Sequence, residues 1–403
     1  MQQRKVIDTK IAVISDIHFG FDYDGARSDD AFIAAEEAIT RAINEDNVDL
    51  ILMPGDIFDS RTPKSDVFAK AIRVLSHVFN QQRKNQVVSS TKPVPKMALS
   101  GVPIVAIHGT HERRAKEVMN PVEALGHAGL LVHLHCSNIA FNFGGQIIAI
   151  HGMSGVPERY ARDTLRKWNP TPIAGAINIL MIHQSIDPYV YSPLEPPSLK
   201  LEDLPHDFEI IIDGHIHNRS FQSFHNGEDK LLLPGSTLQT QMKKGEKTKG
   251  YYIISIDGNK ICLDFRELIK QRKFYYYTLD NPTNERIKEI IWAAKFEKQE
   301  MEPLIKIKAT GSMNSLSLKN IDATGVLLSV SKDFEDQKEQ LESIKLLHED
   351  KLSVEDMGLK ILEERFGPMA ESLFDLLYEE KINDAFDLLY NKEKASFEGV
   401  EKK

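Results

Sequence analysis

Short apolar runs alternate with helical patterns over the first half of the chain. Ile11-Ala12-Val13-Ile14, Leu50-Ile51-Leu52-Met53 and Ile104-Val105-Ala106-Ile107 each end at a polar or glycine-containing turn, the pattern of strands buried on both faces. Ile147-Ile148-Ala149-Ile150, Ile179-Leu180-Met181-Ile182 and Ile210-Ile211-Ile212 read the same way. Between the first two runs, Phe32, Ala35, Ile39 and Ile43 share one face of a helix over Asp29 to Glu45. Phe68, Ile72, Leu75 and Phe79 do the same after the second. Both stripes predict core-facing helices, and the alternation predicts a layered α/β fold. Gln81 to Ser100 is polar, contains Pro93 and Pro95, and predicts a long surface loop. From Lys230 the texture changes to Leu231-Leu232-Leu233, Tyr251-Tyr252-Ile253-Ile254 and Ile261-Cys262-Leu263, separated by Pro-Gly and Asp-Gly turns. This predicts a β-meander that closes a first domain, residues 1–265.

Residues 266–331 combine a helix, Asn284 to Lys295, with strands at Leu304-Ile305-Lys306-Ile307-Lys308 and Val326-Leu327-Leu328-Ser329-Val330, which predicts a small α+β domain. Residues 332–403 read as helical. Ser353-Val354-Glu355-Asp356 resembles a capping signal ahead of Leu359, Leu362 and Phe366, and Gly367-Pro368 stops that helix. Two similar octets follow, with Phe374 and Leu377 in the first and Phe386 and Leu389 in the second. So short a segment cannot bury these side chains alone. It needs a partner surface, either another protein or the body of its own chain.

At 403 residues the chain exceeds the roughly 250–300 residues at which single cores stop growing, in keeping with more than one domain. A hydrophobic content of 41% and a charged content of 27% are those of a soluble globular protein. No run approaches the roughly 18 apolar residues of a membrane span, and Met1-Gln2-Gln3-Arg4-Lys5 leads into a strand rather than a secretory apolar segment. The expectation is an intracellular protein, cytoplasmic or nucleoid-associated, and nuclear in a eukaryote. The only cysteines, Cys136 and Cys262, form no paired motif, which excludes a disulfide framework and a thiolate zinc site. Any metal must be held by His and carboxylates. The net charge of −9 resides in the tail, since residues 331–403 hold 11 basic and 20 acidic side chains. Charge therefore neither supports nor excludes a nucleic-acid partner. Of 14 histidines, 13 lie between His18 and His225, so imidazole chemistry belongs to the first half.

The strand ends carry the candidate chemistry. Asp16 and His18 follow the first strand, Asp56 the second, and Thr110 and His111 the third. His183 ends the Ile179 run, and His215 and His217 follow the Ile210 run. The carboxyl ends of strands in an open α/β sheet converge on one edge, where ligands bind. Asp-x-His and His-x-His spacings would point both side chains of each pair the same way if the backbone is extended. Asp and His without thiols suit Mn²⁺, Fe²⁺ or Zn²⁺. Six ligands over-supply one ion, whereas a bridging carboxylate between two ions about 3.5–4 Å apart uses them all. Asp56 is the natural bridge, because Gly55 removes bulk beside it. A single His at a strand end is more often a hydrogen-bonded surface residue, and Gly-Asp alone carries little signal. Five such ends together outweigh that reading. His77, His127, His133, His135, His206 and His225 read as structural, and His151, at a strand end, as a residue near the cleft.

The ordered set Asp-x-His, Gly-Asp, Gly-x-His-Glu, His and Gly-His-x-His resembles the calcineurin-like metallophosphoesterases over roughly residues 10–265. Gly55-Asp56-Ile57-Phe58-Asp59-Ser60, Ile182-His183-Gln184 and Gly214-His215-Ile216-His217-Asn218 look most like the Mre/SbcD-type DNA double-strand-break repair nucleases. The resemblance implies a two-sheet sandwich flanked by helices, a capping domain over 266–331 and an acidic partner-binding segment over 332–403. It also implies a dimanganese phosphodiesterase. Asp16, His18, Asp56 and His217 would hold one ion, and Asp56, His183 and His215 the other, with Fe²⁺ or Zn²⁺ as alternatives. His111 would stabilise developing charge or protonate the leaving oxygen, a role open to an imidazole. The implied partners are DNA, a second copy of the chain, and a coiled-coil Rad-type ABC ATPase contacted through Leu359, Leu362, Phe366, Phe374, Leu377, Phe386 and Leu389.

Three residues depart from that pattern. Thr110 stands where the family carries an Asn that ligates the second ion, Glu112 where the nuclease usually has Asp, and Asp59 where many members have His. Two rival readings follow: a phosphoesterase acting on a nucleotide, phosphoprotein or other small phosphodiester, and a DNA-binding scaffold with a depleted metal site. Salt-sensitive duplex binding separates the nuclease from the first, and metal stoichiometry separates it from the second.

Overall fold

The computed structural model describes residues 9–81, 83, 85–114, 118–190, 197–224, 227, 229–241, 248–296, 301–311, 321–333, 367–378 and 388. Each strand of the first half is apolar on both faces because it lies between two cores. In the Leu50–Pro54 strand, Ile51 and Met53 join the cluster that holds the inner faces of the Asp30–Asn44 and Ser65–Leu75 helices, while Leu50 and Leu52 face a second cluster shared by two sheets. In the Ile177–Ile182 strand, Ile179 and Met181 enter that shared cluster from the other side. Leu180 and Ile182 point outward to Ala161 and Leu165 of the Glu158–Trp168 helix. The result is a sandwich layered helix, sheet, sheet, helix. Truncating a fully buried member such as Leu52 to Ala would cost about 2–5 kcal/mol.

The first sheet runs Lys260–Glu267, Gly250–Asp257, Thr9–Val13, Leu50–Pro54, Ile104–Ile107, Val132–His133, and its last four strands are parallel. The second runs Ser220–Phe224, Asp229–Leu233, Ile210–Asp213, Ile177–Ile182, Gln146–Met153, Ser137–Phe143, Gln86–Ser90. Two expectations change here. Leu231-Leu232-Leu233 does not join a meander, because its strand pairs in parallel with Ile210–Asp213 in the second sheet, whereas the Gly250–Glu267 hairpin adds to Thr9–Val13 in the first. The connection between Leu233 and Gly250 is too long for a tight hairpin and instead carries the chain from one sheet to the other. The segment Gln81–Ser100 is also not simply a loop, since Gln86–Ser90 forms an edge strand against Ser137–Phe143. Its register shifts between Val87 and Ser89, and only Val87 packs against the core, so no period of two marks it.

A third, parallel sheet of Phe274–Asp280, Leu304–Thr310 and Leu327–Asp333 encloses its own cluster with Ile287, Ile290 and Ile291 of the Asn284–Phe296 helix. The segment leading to it is tied to the first helix. Ile269 and Lys270 donate backbone N–H groups to the Glu37 carboxylate at 2.8 and 2.7 Å, and Arg272 grips both oxygens of Asp30 at 2.9 and 3.1 Å. The Ala370–Tyr378 helix buries Ala370 and Leu373, and Asp375 lies 3.6 Å from Arg159. Phe374 is half-buried and Leu377 is exposed. Leu359, Leu362, Phe366, Phe386 and Leu389 lie outside the described residues. No helix among the described residues is long and apolar enough to cross a membrane.

Candidate metal centre

Parallel pairing aligns the carboxyl ends of Thr9–Val13, Leu50–Pro54 and Ile104–Ile107 in one sheet and of Ile177–Ile182 and Ile210–Asp213 in the other. The side chains that follow these ends gather at one edge of the sandwich. Their loops turn sharply. Asp16, His18, Asp56 and His215 have φ of 49°, 55°, 46° and 68°, a left-handed conformation that costs about 1–3 kcal/mol per non-glycine residue and clusters at functional sites. The Asp-x-His pair thus reaches the site through turns, not through the extended backbone its spacing suggested. Two glycines make room. A Cβ on Gly55 would lie 2.3 Å from His183 Nδ1, and one on Gly109 would lie 2.4 Å from the Asp56 backbone nitrogen.

Among the described residues, three groups bring ligand atoms within 4.8 Å of one another: Asp16 with His18 and His217, Asp56 with His183 and His215, and His18 with Asp59 and His111. The two histidines of the His-x-His pair therefore divide between neighbouring groups. Three of these imidazoles are fixed by their Nδ1 atoms. That of His183 donates to the Pro54 carbonyl at 2.8 Å, that of His18 bonds Asp59 Oδ1 at 3.0 Å, and that of His217 bonds Thr240 Oγ1 at 2.8 Å. A carbonyl and a carboxylate only accept, so His183 and His18 carry the proton on Nδ1 and direct Nε2 into the cluster. The Nε2 atoms of His18 and His217 face each other at 3.1 Å, and His183 Nε2, buried without a hydrogen-bond partner among the described residues, lies 3.3 Å from Asp56 Oδ2.

Electrostatics fits a cation. Burial works against charge on Asp56, but His183, His111 and His18 outweigh it and hold the carboxyl well below the usual carboxylate range. Burial likewise opposes charge on the His183 imidazole, yet Asp56, Asp16 and the Pro54 carbonyl push it up to about 10. Burial and the neighbouring Asp56 raise Asp16, while burial and His18 hold His217 well below the ordinary imidazole value. Protons on some imidazoles thus balance the buried carboxylates, a service that divalent ions perform for the same donor set.

His111 has its backbone N–H on Asp56 Oδ1 at 2.9 Å, its Nδ1 3.2 Å from the Asp59 carbonyl oxygen, and its Nε2 4.0 Å from Asp56 Oδ2. The Thr110 hydroxyl donates to the Asp56 carboxylate at 3.3–3.4 Å. Two residues were absent from the sequence-derived site. The Asp59 carboxylate bonds His18 and lies 3.6 Å from His111 Nδ1; its signal is the third place after Asp56 in Gly-Asp-x-x-Asp. Glu112 is fully buried and staples the Asp56 loop to its own, accepting from Phe58 N and Gly109 N, each at 2.7 Å. Burial, with the neighbouring Asp56, raises its carboxyl to about 8.

The remaining histidines divide by contact. His151 is buried within the second sheet, against Asn178 at 3.2 Å and the ring of Phe208, and joins none of the three groups. His77 and His206 pair with Glu36 and Asp229. His127 closes the Pro121–His127 helix, and His225 lies outside the described residues. His108 and His133 pack together, with Nδ1 and Nε2 3.1 Å apart. Burial depresses His133 to about 3 from an ordinary 6.5. A depressed imidazole contributes stability that is present above pH 6.5 and lost as pH falls toward 3. The slope is up to about 1.4 kcal/mol per pH unit. Acid denaturation followed by circular dichroism should therefore be flatter in this window for His133→Gln than for the parent.

Residues 9–219 match the calcineurin-like phosphoesterase family. The DNA double-strand break repair protein Mre11 of Methanopyrus kandleri is 25% identical over 279 residues, 64% of this chain and 57% of that one. The human double-strand break repair protein MRE11 is 24% identical over 333 residues, 72% of this chain and 46% of that one. The chain spans about half the length of these curated relatives. A dimetal phosphatase structure from Danio rerio is 10% identical, with a TM-score of 0.39, over 64% of this chain and 96% of that one. With more than half of its length in the match and the motif residues gathered at one sheet edge, the chain belongs to the calcineurin-like phosphoesterase family.

Proposed function

We propose that this protein is a manganese-dependent DNA phosphodiesterase that works in double-strand-break repair. The observation that carries the reading is the set of imidazoles fixed through Nδ1 with Nε2 directed at two carboxylates. Asp16, His18 and His217 would hold one ion, and Asp56, His183 and His215 the other, with Asp56 shared. Such a pair supplies an activated water and a clamp for the phosphoryl oxygens. The chain's own residues do the rest. Asp56 interacts electrostatically with both His18 and His183. His111, at the exposed side of the cluster, would deliver a proton to the leaving sugar oxygen, and Asp59 holds the ring in place. Thr110, with its hydroxyl on Asp56, supplies less to the second ion than an amide oxygen would.

Similarity to proteins named for double-strand break repair supports DNA as the substrate. Digestion of labelled single- and double-stranded DNA with manganese tests it. Cleavage is expected, and activity confined to mononucleotides or phosphopeptides would contradict it. Glu112 follows the wider phosphoesterase pattern, which makes those small substrates the comparison that matters.

On this reading, residues 1–265 form the nuclease domain, 266–331 a capping domain and 332–403 a segment that docks a Rad-type coiled-coil ATPase. The protein would act as a homodimer at DNA, in the cytoplasm or nucleus. Removing residues 332–403 should abolish co-purification with the ATPase and leave manganese binding unchanged. Retained co-purification would overturn the docking assignment.

A further inference from the structure

The loop that brings Thr110 and His111 to the metal cluster also walls a separate cavity of about 530 Å³, through His108, Arg113 and Arg114. None of Asp16, His18, Asp56, His183, His215 or His217 lines it. Lys92, Arg113, Arg114 and Arg159 set four basic groups around it against the carboxylates of Glu123 and Asp375, with Glu158 3.9 Å from Arg113. Among the described residues no carboxylate pairs with its histidines. His108 and His133 meet at 3.1 Å, Asn120 Nδ2 lies 3.3 Å from His108 Nδ1, and the buried Nδ1 of His135 has no hydrogen-bond partner among the described residues. Burial holds the His133 and His135 imidazoles below their ordinary range, so they offer neutral N–H groups beside the cations. One anion already reaches the rim from far along the chain, as Asp375 sits 3.6 Å from Arg159.

We propose that this cavity is a second phosphate-binding site, which takes a nucleotide phosphate beside the metal centre rather than at it. Clustered guanidinium groups and neutral donors favour a phosphate, with which Arg forms bidentate bonds. The volume exceeds what orthophosphate needs and falls within the roughly 300–1,000 Å³ of small-molecule sites. Only the choice of a nucleotide rests on the reading of the protein as a DNA phosphodiesterase; the preference for phosphate rests on the cavity. The nucleotide could be free or part of a strand.

The test uses the full chain stripped of metal with EDTA, so that phosphate cannot bind through ions. Calorimetric titration with dAMP should show saturable binding, weakened about tenfold or more in the double variant Lys92→Ala/Arg159→Ala. Both positions are exposed, so the variant should fold. Deoxyadenosine, which lacks the phosphate, should not bind. Independently of any variant, dAMP should shift the ring-proton resonances of His108, His133 and His135. Absent binding, equal affinity in the double variant, equal binding of deoxyadenosine, or unmoved histidine resonances would each overturn the proposal. A single-stranded oligonucleotide that loses affinity in the same variant identifies the strand as the source, whereas loss for dAMP alone identifies a free nucleotide. Failure of the DNA reading shows separately, as absent cleavage by the manganese-loaded parent.

Discussion

Asp56→Asn should abolish manganese-dependent hydrolysis and reduce bound manganese below one ion per chain. Asp56 is 2% exposed and is the carboxylate on which His183, His111 and Thr110 converge. The amide keeps the shape, and its oxygen can still accept the His111 N–H. It lacks the negative charge that balances His183 and His18. A bridging carboxylate stabilises two ions at once, so its loss removes several kcal/mol of charge stabilisation, a rate effect of about 10³-fold or more. Without Asp56, the His183 imidazole also loses the neighbour that most favours its charged form. Two-dimensional NMR of the metal-free variant should find the His183 ring neutral at pH 7. Retention of two ions and of activity would remove Asp56 from the role of bridge.

The positions of these residues were legible because each follows an apolar run that both sheets bury. Leu50-Ile51-Leu52-Met53 announces a strand whichever face is considered, and Gly55-Asp56 follows it directly. What the sequence hid was conformation. The left-handed turns at Asp16 and His18 swing the imidazole onto Asp59, a contact across 41 positions that no periodicity encodes. Glu112 read as a family variant, although its carboxylate ties two ligand-bearing loops together by accepting two backbone N–H groups. Strand partners were equally hidden. Leu231-Leu232-Leu233 and Tyr251-Tyr252-Ile253-Ile254 have the same apolar texture, yet they enter different sheets. Burial pattern determines that a segment is a strand, while its neighbour depends on chain connections that cross the sandwich.

The second large effect concerns proton delivery. His111→Ala should lower DNA hydrolysis by about 10²–10⁴-fold, the usual contribution of a positioned general acid. Manganese stoichiometry should be unchanged, because both three-ligand groups assigned to ions exclude His111. The loss should shrink for a nitrophenyl phosphodiester, whose leaving group departs without a proton. An equal loss on both substrates would assign His111 to charge stabilisation instead. Asp59→Asn should produce a smaller defect of the same kind, since it keeps a hydrogen-bonding oxygen near the His111 and His18 rings but no charge.

Anomalous diffraction at the manganese edge from crystals soaked in manganese shows directly whether two ions sit at this sheet edge. Two peaks about 3.5–4 Å apart are expected, one among Asp16, His18 and His217 and the other among Asp56, His183 and His215. Absence of both peaks, or imidazoles whose Nε2 atoms turn away from a common centre, would contradict the two-ion centre.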